Sequence, residues 1–194
     1  MLPWKDFQVE MAYVDPFLPS FDPQSLDNVT PPEPEYHFGS EGYRASSRHR
    51  LTLLSNQVAD SATTTRLLSA EGGASGVHEA SAFILGDMMY AAVGPFVCAL
   101  KLPTFDLIWH TEADDATCFG IHPLHSKDGF ISHGEMTIAR LDFGGKILWS
   151  EGGKDIFTGE FKLCPSHAEV FDFNDEKYRF DLDTGRSEIV PHAT

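Results

Sequence analysis

The chain has 194 residues, enough for one well-packed domain or for one domain with an arm. Hydrophobic residues make up 42% of it and phenylalanine alone occurs 15 times, which excludes a largely disordered chain. Fourteen Lys+Arg against 29 Asp+Glu leave a formal charge of −15, a surface that repels phosphate backbones and excludes nucleic acid as a natural partner. The cysteines are Cys98, Cys118 and Cys164. With none in a CxxC pair, they argue against a disulfide framework and for a reducing compartment.

The chain opens with MLPWKDFQVEMAYVD, which carries acidic residues and no apolar run, so a secretory signal is not expected. No stretch approaches the ~18 apolar residues of a membrane span. The expectation is a soluble, acidic, cytoplasmic protein without a membrane partner. Residues 1–44 hold seven of the twelve prolines, a density that forbids regular helix and interrupts strand ladders. Trp4, Phe7, Tyr13, Phe17, Phe21, Tyr36, Phe38 and Tyr43 recur among them, unlike a solvated tail. The sequence therefore predicts two parts: an extended aromatic, proline-rich arm over 1–44, docked on a surface, and an all-β domain over 45–194.

RHRLTLLS (48–55) and TTTRLLSA (63–70) read as strands, the second rich in β-branched threonine. EGGASG (71–76) is a loop, because neither GxGxxG nor GxxxxGK[ST] spacing is present to cradle a phosphate. VHEASAFIL (77–85) and MMYAAV (88–93) read as buried strands flanking a Gly86-Asp87 turn.

From there one phrase recurs. ALKLPTFDLIW (99–109), RLDFGGKILW (140–149) and RFDLDTGRSEIV (179–190) each follow an apolar strand and a turn, and each runs strand, short turn, strand. Leu100, Leu141 and Phe180 stand 41 and 39 residues apart, and Trp109 and Trp149 stand 40 apart. A period of about 40 residues made of short antiparallel strands is the signature of propeller blades, whose meanders share their cores by stacking. Both tryptophans are expected to be buried at equivalent places.

These phrases resemble the blade repeat of the pyrroloquinoline-quinone-type and WD40-like β-propellers, which carry Ala-x-Asp-x-x-Thr-Gly and then Trp. RFDLDTG keeps Asp181, Thr184 and Gly185; RLDFGGKILW keeps Asp142, a glycine turn with Gly144 in the threonine place, and Trp149. ALKLPTFDLIW keeps Thr104 and Trp109, with Phe105 in place of the glycine. The resemblance covers about residues 86–190 and implies architecture alone. Quinone-enzyme activity does not carry over. Three repeats are too few for a closed ring. The resemblance therefore implies an open or incomplete propeller-like, or sandwich-like, array, with 48–85 as a source of further strands.

Reactive side chains are densest over 109–135. Cys118-x₃-His122-x₂-His125 approaches zinc-ligand spacing, and His133 or Asp115 would complete four ligands, so Cys118, His122, His125 and His133 are the candidate metal set. The plainer reading is a polar loop and a strand, with Thr117, Phe119 and Ile121 on one face and Cys118, Gly120 and His122 on the other. It requires no cofactor. Asp114-Asp115 and the pair Asp155 and Glu160 are the nearest carboxylate pairs for acid–base work. No GxSxG motif exists around Ser75 or Ser132. Asp115 and Asp155 each follow a repeat tryptophan by six residues, which favours turn-holding roles for both. The sequence thus points to a non-enzymatic binding or assembly module acting through a protein partner or through its own copies. The alternative is a small metal-dependent or acid–base enzyme using the 110–135 cluster.

Overall fold

The computed structural model describes residues 1–17, 33–42, 44–56, 62–124 and 128–191, and among them the regular structure is all strand. Four sheets follow one another. Sheet I contains β1 (Leu2–Trp4), β2 (Phe7–Tyr13), β3 (Glu35–Phe38), β4 (Ser47–Ser55) and β5 (Ala62–Ala70), in the order β1-β2-β4-β5-β3. Sheet II is the meander β6 (Ala82–Leu85), β7 (Met88–Val93), β8 (Phe96–Lys101) and β9 (Asp106–Glu112). Sheet III repeats it with β10 (Cys118–Pro123), β11 (Phe130–Gly134), β12 (Thr137–Leu141) and β13 (Ile147–Gly152). Sheet IV does so again with β14 (Phe157–Leu163), β15 (His167–Asp172), β16 (Lys177–Asp181) and β17 (Ser187–Val190). All neighbours pair antiparallel except β3, which runs parallel to β5.

The packing explains why the central strands read as unbroken apolar runs. Successive strand residues point to opposite faces. In sheet II, Met89, Ala91, Val93, Cys98 and Leu100 pack against sheet I, whereas Tyr90, Ala92, Val97 and Ala99 pack against sheet III. Sheet III divides likewise: Phe130, Ala139 and Leu141 face sheet II, and Ile131 and Ile138 face sheet IV. Strands buried on both faces lose the polar alternation of a half-exposed sheet. The described core residues therefore form three clusters between four sheets, I–II, II–III and III–IV, and no cluster joins IV to I. The array is an open, propeller-like fan. Leu100, Leu141 and Phe180, matched by the repeat, each point into the core shared with the preceding sheet.

Each repeat turns out to have four strands rather than three, because β6, β10 and β14 precede the phrase that recurs. The strand expected over 77–85 is confined to Ala82–Leu85. The segment expected as an arm contributes β1, β2 and β3 to sheet I, so the boundary between 44 and 45 falls inside one sheet. Proline density did not prevent this, because β2 and β3 are free of proline and Pro3 lies on the edge strand β1. Phe21 and Tyr43 lie outside the described residues.

Adjacent sheets are also joined by their strand ends. The amide of Cys118 donates to the carbonyl of Gly94, and that of Phe157 to the carbonyl of Glu135, so the first strand of each meander is tied to a turn of the sheet before it. The repeat tryptophans make a second tie. Trp109 Nε1 donates to the Phe143 carbonyl at 3.1 Å, and Trp149 Nε1 to the Leu182 carbonyl at 3.2 Å. Both rings are half-buried rather than enclosed, since each spans the seam between two sheets with one edge in solvent.

Candidate functional site

The densest functional chemistry lies where β10, β11 and β14 meet. His133 on β11 pairs with Gly120, and His122 on β10 pairs with Ile131, which makes the two histidines diagonal neighbours across the ladder. Gly120 supplies no side chain, so their rings come to 6.4 Å between centroids. Both stack on Phe161 of β14, at 4.2 and 4.6 Å, and Phe119 meets His133 edge-on at 5.5 Å.

This aromatic nest lines a cavity of about 380 Å³ bounded also by His78, Ala80, Thr158 and Gly159. It stands where β10, β11 and β14 meet the segment that leads into β6. His78 is a wall rather than a free group: its Nδ1 accepts from the Ala80 amide, and its Nε2 donates to the Phe119 carbonyl at 2.6 Å. Burial pushes the imidazole of His122 down to about 4, with His78 adding to the effect. Burial, then His122 and His78, pushes His133 down to about 3. Both rings are neutral at pH 7. Nε2 of each is buried with no hydrogen-bonding partner.

Of the candidate metal residues, Cys118 does not gather with His122 and His133. The ladder of β10 is irregular between Cys118 and Gly120, and this bulge at Phe119 breaks the expected alternation. Cys118 consequently faces sheet II, where its Sγ lies 3.0 Å from Ser132 Oγ and burial raises the thiol to about 12. His122 and His133 face sheet IV instead. His125 lies outside the described residues. A buried, protonated thiol is a packing group, not a nucleophile.

Other members of the 109–135 cluster are dispersed as well. His110 stacks on Phe38 at 4.9 Å. Asp114, not Asp115, holds the turn: its carboxylate accepts from the amides of Ala116, Thr117, Met136 and Thr137 and from the Thr137 hydroxyl. Asp155 does share such a role, accepting from the Ile156 amide and from Asn174 Nδ2. Ser75 is buried, with Oγ accepting from the Gly94 amide and facing Ser47 Oγ at 3.1 Å.

Among the described residues, the metal-type donors that do converge are Cys164, His167 and Glu169, all within 4.8 Å of one another on sheet IV. The candidate metal set drawn from the sequence did not include them, although Cys164-x₂-His167-x-Glu169 is legible as spacing. Glu169 is already engaged there. Lys177 at 2.7 Å and Arg179 at 3.2 Å bind it and hold its carboxyl down to about 2. An incoming cation would have to displace them.

No family model and no curated protein matches this chain. Solved structures do. The structure of BamB from Moraxella catarrhalis superposes with a TM-score of 0.51 at 18% identity, over 72% of this chain and 42% of that one. A computationally designed protein, Ika8, gives 0.50 at 11% identity, over 79% and 50%. The WD40 β-propeller domain of Doa1 gives 0.46 at 9% identity, over 73% and 46%. The chain thus spans half or less of the length of each of these structures. At such identities the likeness speaks of fold alone, and together with the three meanders stacked in series on sheet I it shows that this chain is built from propeller-type β-blade repeats in an open array.

Proposed function

We propose that the protein is a non-enzymatic binding module that engages a protein partner through the outer strands of its blades. The observation that carries this reading is the pair Ile108 and Leu148. They hold the same place, 40 residues apart, on β9 and β13, and are 53% and 44% exposed. Both strands are edges of their sheets, so each offers unpaired backbone groups beside an exposed aliphatic side chain. A repeated apolar position on successive edges favours a partner that adds an extended segment or lays an apolar face across the rim. The charge of −15 favours a partner with basic residues flanking that contact. A second copy of the chain offers the same apolar rim but shares the negative charge, so self-association is the other outcome that the test reads.

The test replaces both residues, I108E/L148E, and compares the variant with the parent. Light scattering reads self-association, and cross-linking followed by mass spectrometry reads other partners. The proposal expects one specific association, of either kind, to be present in the parent and lost in the variant at unchanged melting temperature. An unchanged set of contacts in the variant would overturn it.

A further inference from the structure

We propose that the cavity between His122, His133 and Phe161 is a binding site for an uncharged, planar small molecule that carries both a hydrogen-bond donor and an acceptor, such as an amide- or lactam-bearing heterocycle. This is independent of the rim contact above.

Four observations converge on it. The cavity, at about 380 Å³, falls in the range of roughly 300–1,000 Å³ typical of small-molecule sites. His133 is only 8% exposed, lines this cavity, and leaves Nε2 without a partner; half-buried His122 lines it from the neighbouring strand and leaves its own Nε2 unpaired. A buried polar atom left unmatched is destabilising, so two in one small space mark a place where a ligand would recover stability. A neutral imidazole either donates or accepts at Nε2, according to its tautomer, so two of them match one group that donates and one that accepts. Lastly, Phe119 and Phe161 supply flat apolar walls, and Gly120 and Gly159 complete the lining.

The charge class follows from the lining. Among the described residues no Asp, Glu, Lys or Arg borders the cavity, and His122 and His133 are neutral, so a charged ligand would be desolvated without a counter-ion. Anions face the further repulsion of an acidic protein. Ordered water alone would satisfy the two nitrogens without selecting any solute, and the experiment must separate that outcome.

The probes are nicotinamide, uracil and isatin as neutral planar donor–acceptors, with benzoate, benzylamine and zinc chloride as charged controls. Each is titrated into the full chain at neutral pH while histidine ring nitrogens are followed by NMR. The expected result is saturable shifting of the His122 and His133 ring signals by at least one neutral probe, with a Kd of about millimolar. The controls leave both signals in place. H133F keeps the stacked ring but removes the nitrogen, and it should weaken that probe at least tenfold; H122F gives the same reading if H133F does not fold. Three outcomes overturn the proposal: none of the neutral probes shifts either ring, a control shifts them as strongly, or both folded variants bind as the parent does.

Discussion

The ring of Trp149 lies across the turn at Gly185, where a Cβ would stand 2.7 Å from the indole. Trp109 stands in the same relation to Gly145, at 2.6 Å, with the same spacing in sequence. Both glycines take positive φ, +72° and +86°. The recurring phrase is thus half of a two-part device: a tryptophan on one blade and a glycine on the next.

Gly145→Ala and Gly185→Ala should each destabilise the fold by about 2–4 kcal/mol, combining the left-handed backbone penalty with overpacking against the indole. Urea unfolding measures this. Truncating the partners, Trp109→Ala and Trp149→Ala, should cost about 2–3 kcal/mol, below the range of fully enclosed aromatic residues because one edge of each ring is in water.

Phe105 occupies the place of those glycines with φ +56°, and its ring is fully buried in the core between sheets I and II. Tyr36 reaches over from sheet I, where its hydroxyl accepts from the Leu107 amide at 3.3 Å. Here the following blade supplies the ring that the preceding one supplies elsewhere. Phe105→Ala should lose about 3–5 kcal/mol through the cavity. Phe105→Gly should lose about 1 kcal/mol less, since glycine is at ease at positive φ. Glycine outperforming alanine at a core position is the observable.

Asp114→Ala strips a buried carboxylate from four amides and a hydroxyl, and should cost about 3–5 kcal/mol by leaving several donors unpaired. Asp115→Ala should stay within about 0.5 kcal/mol of the parent. Paired thermal melts check both.

Acid should weaken the protein in two stages. His122 and His133 have folded-state values near 4 and 3, below the ordinary 6.5, so the unfolded chain binds more protons between those limits. The contribution of these two rings is level above pH 6.5 and falls as the pH drops towards 4, and His78 is, among the described residues, a further titratable group facing them. Glu169, held near 2 by Lys177 and Arg179, adds its loss below its ordinary 4.5. A double H122F/H133F variant should make the fall in melting temperature between pH 6.5 and 4.5 shallower, leaving the share of buried His49, whose imidazole burial also pushes down, and retain the steeper fall below.

Much of the architecture was legible in the sequence because it is written as a period: the turns, the Leu100–Leu141–Phe180 register and the paired tryptophans all survive in the fold. Strands β6, β10 and β14 were harder to place in the repeat, since they precede the phrase and differ in composition. Sheet I carries no copy of the phrase. Its strands lie on both sides of a proline-rich stretch, so local composition points to an arm while tertiary pairing makes a sheet. For the histidine pocket, the sequence supplied His122 and His133 but grouped them with Cys118. A one-residue bulge reverses the facing of every side chain before it, and nothing in CFGIHP announces one.

Hydrogen exchange on the intact chain, read by mass spectrometry peptide by peptide, tests most directly whether four sheets stand in one array. Strand β2 lies between β1 and β4, with Val9 opposite Leu53 and Met11 opposite Leu51. The account predicts that residues 7–13 exchange as slowly as residues 47–55, in one cooperative unit. Complete exchange of 7–13 and 35–38 at the shortest times, with 47–55 still protected, would contradict it.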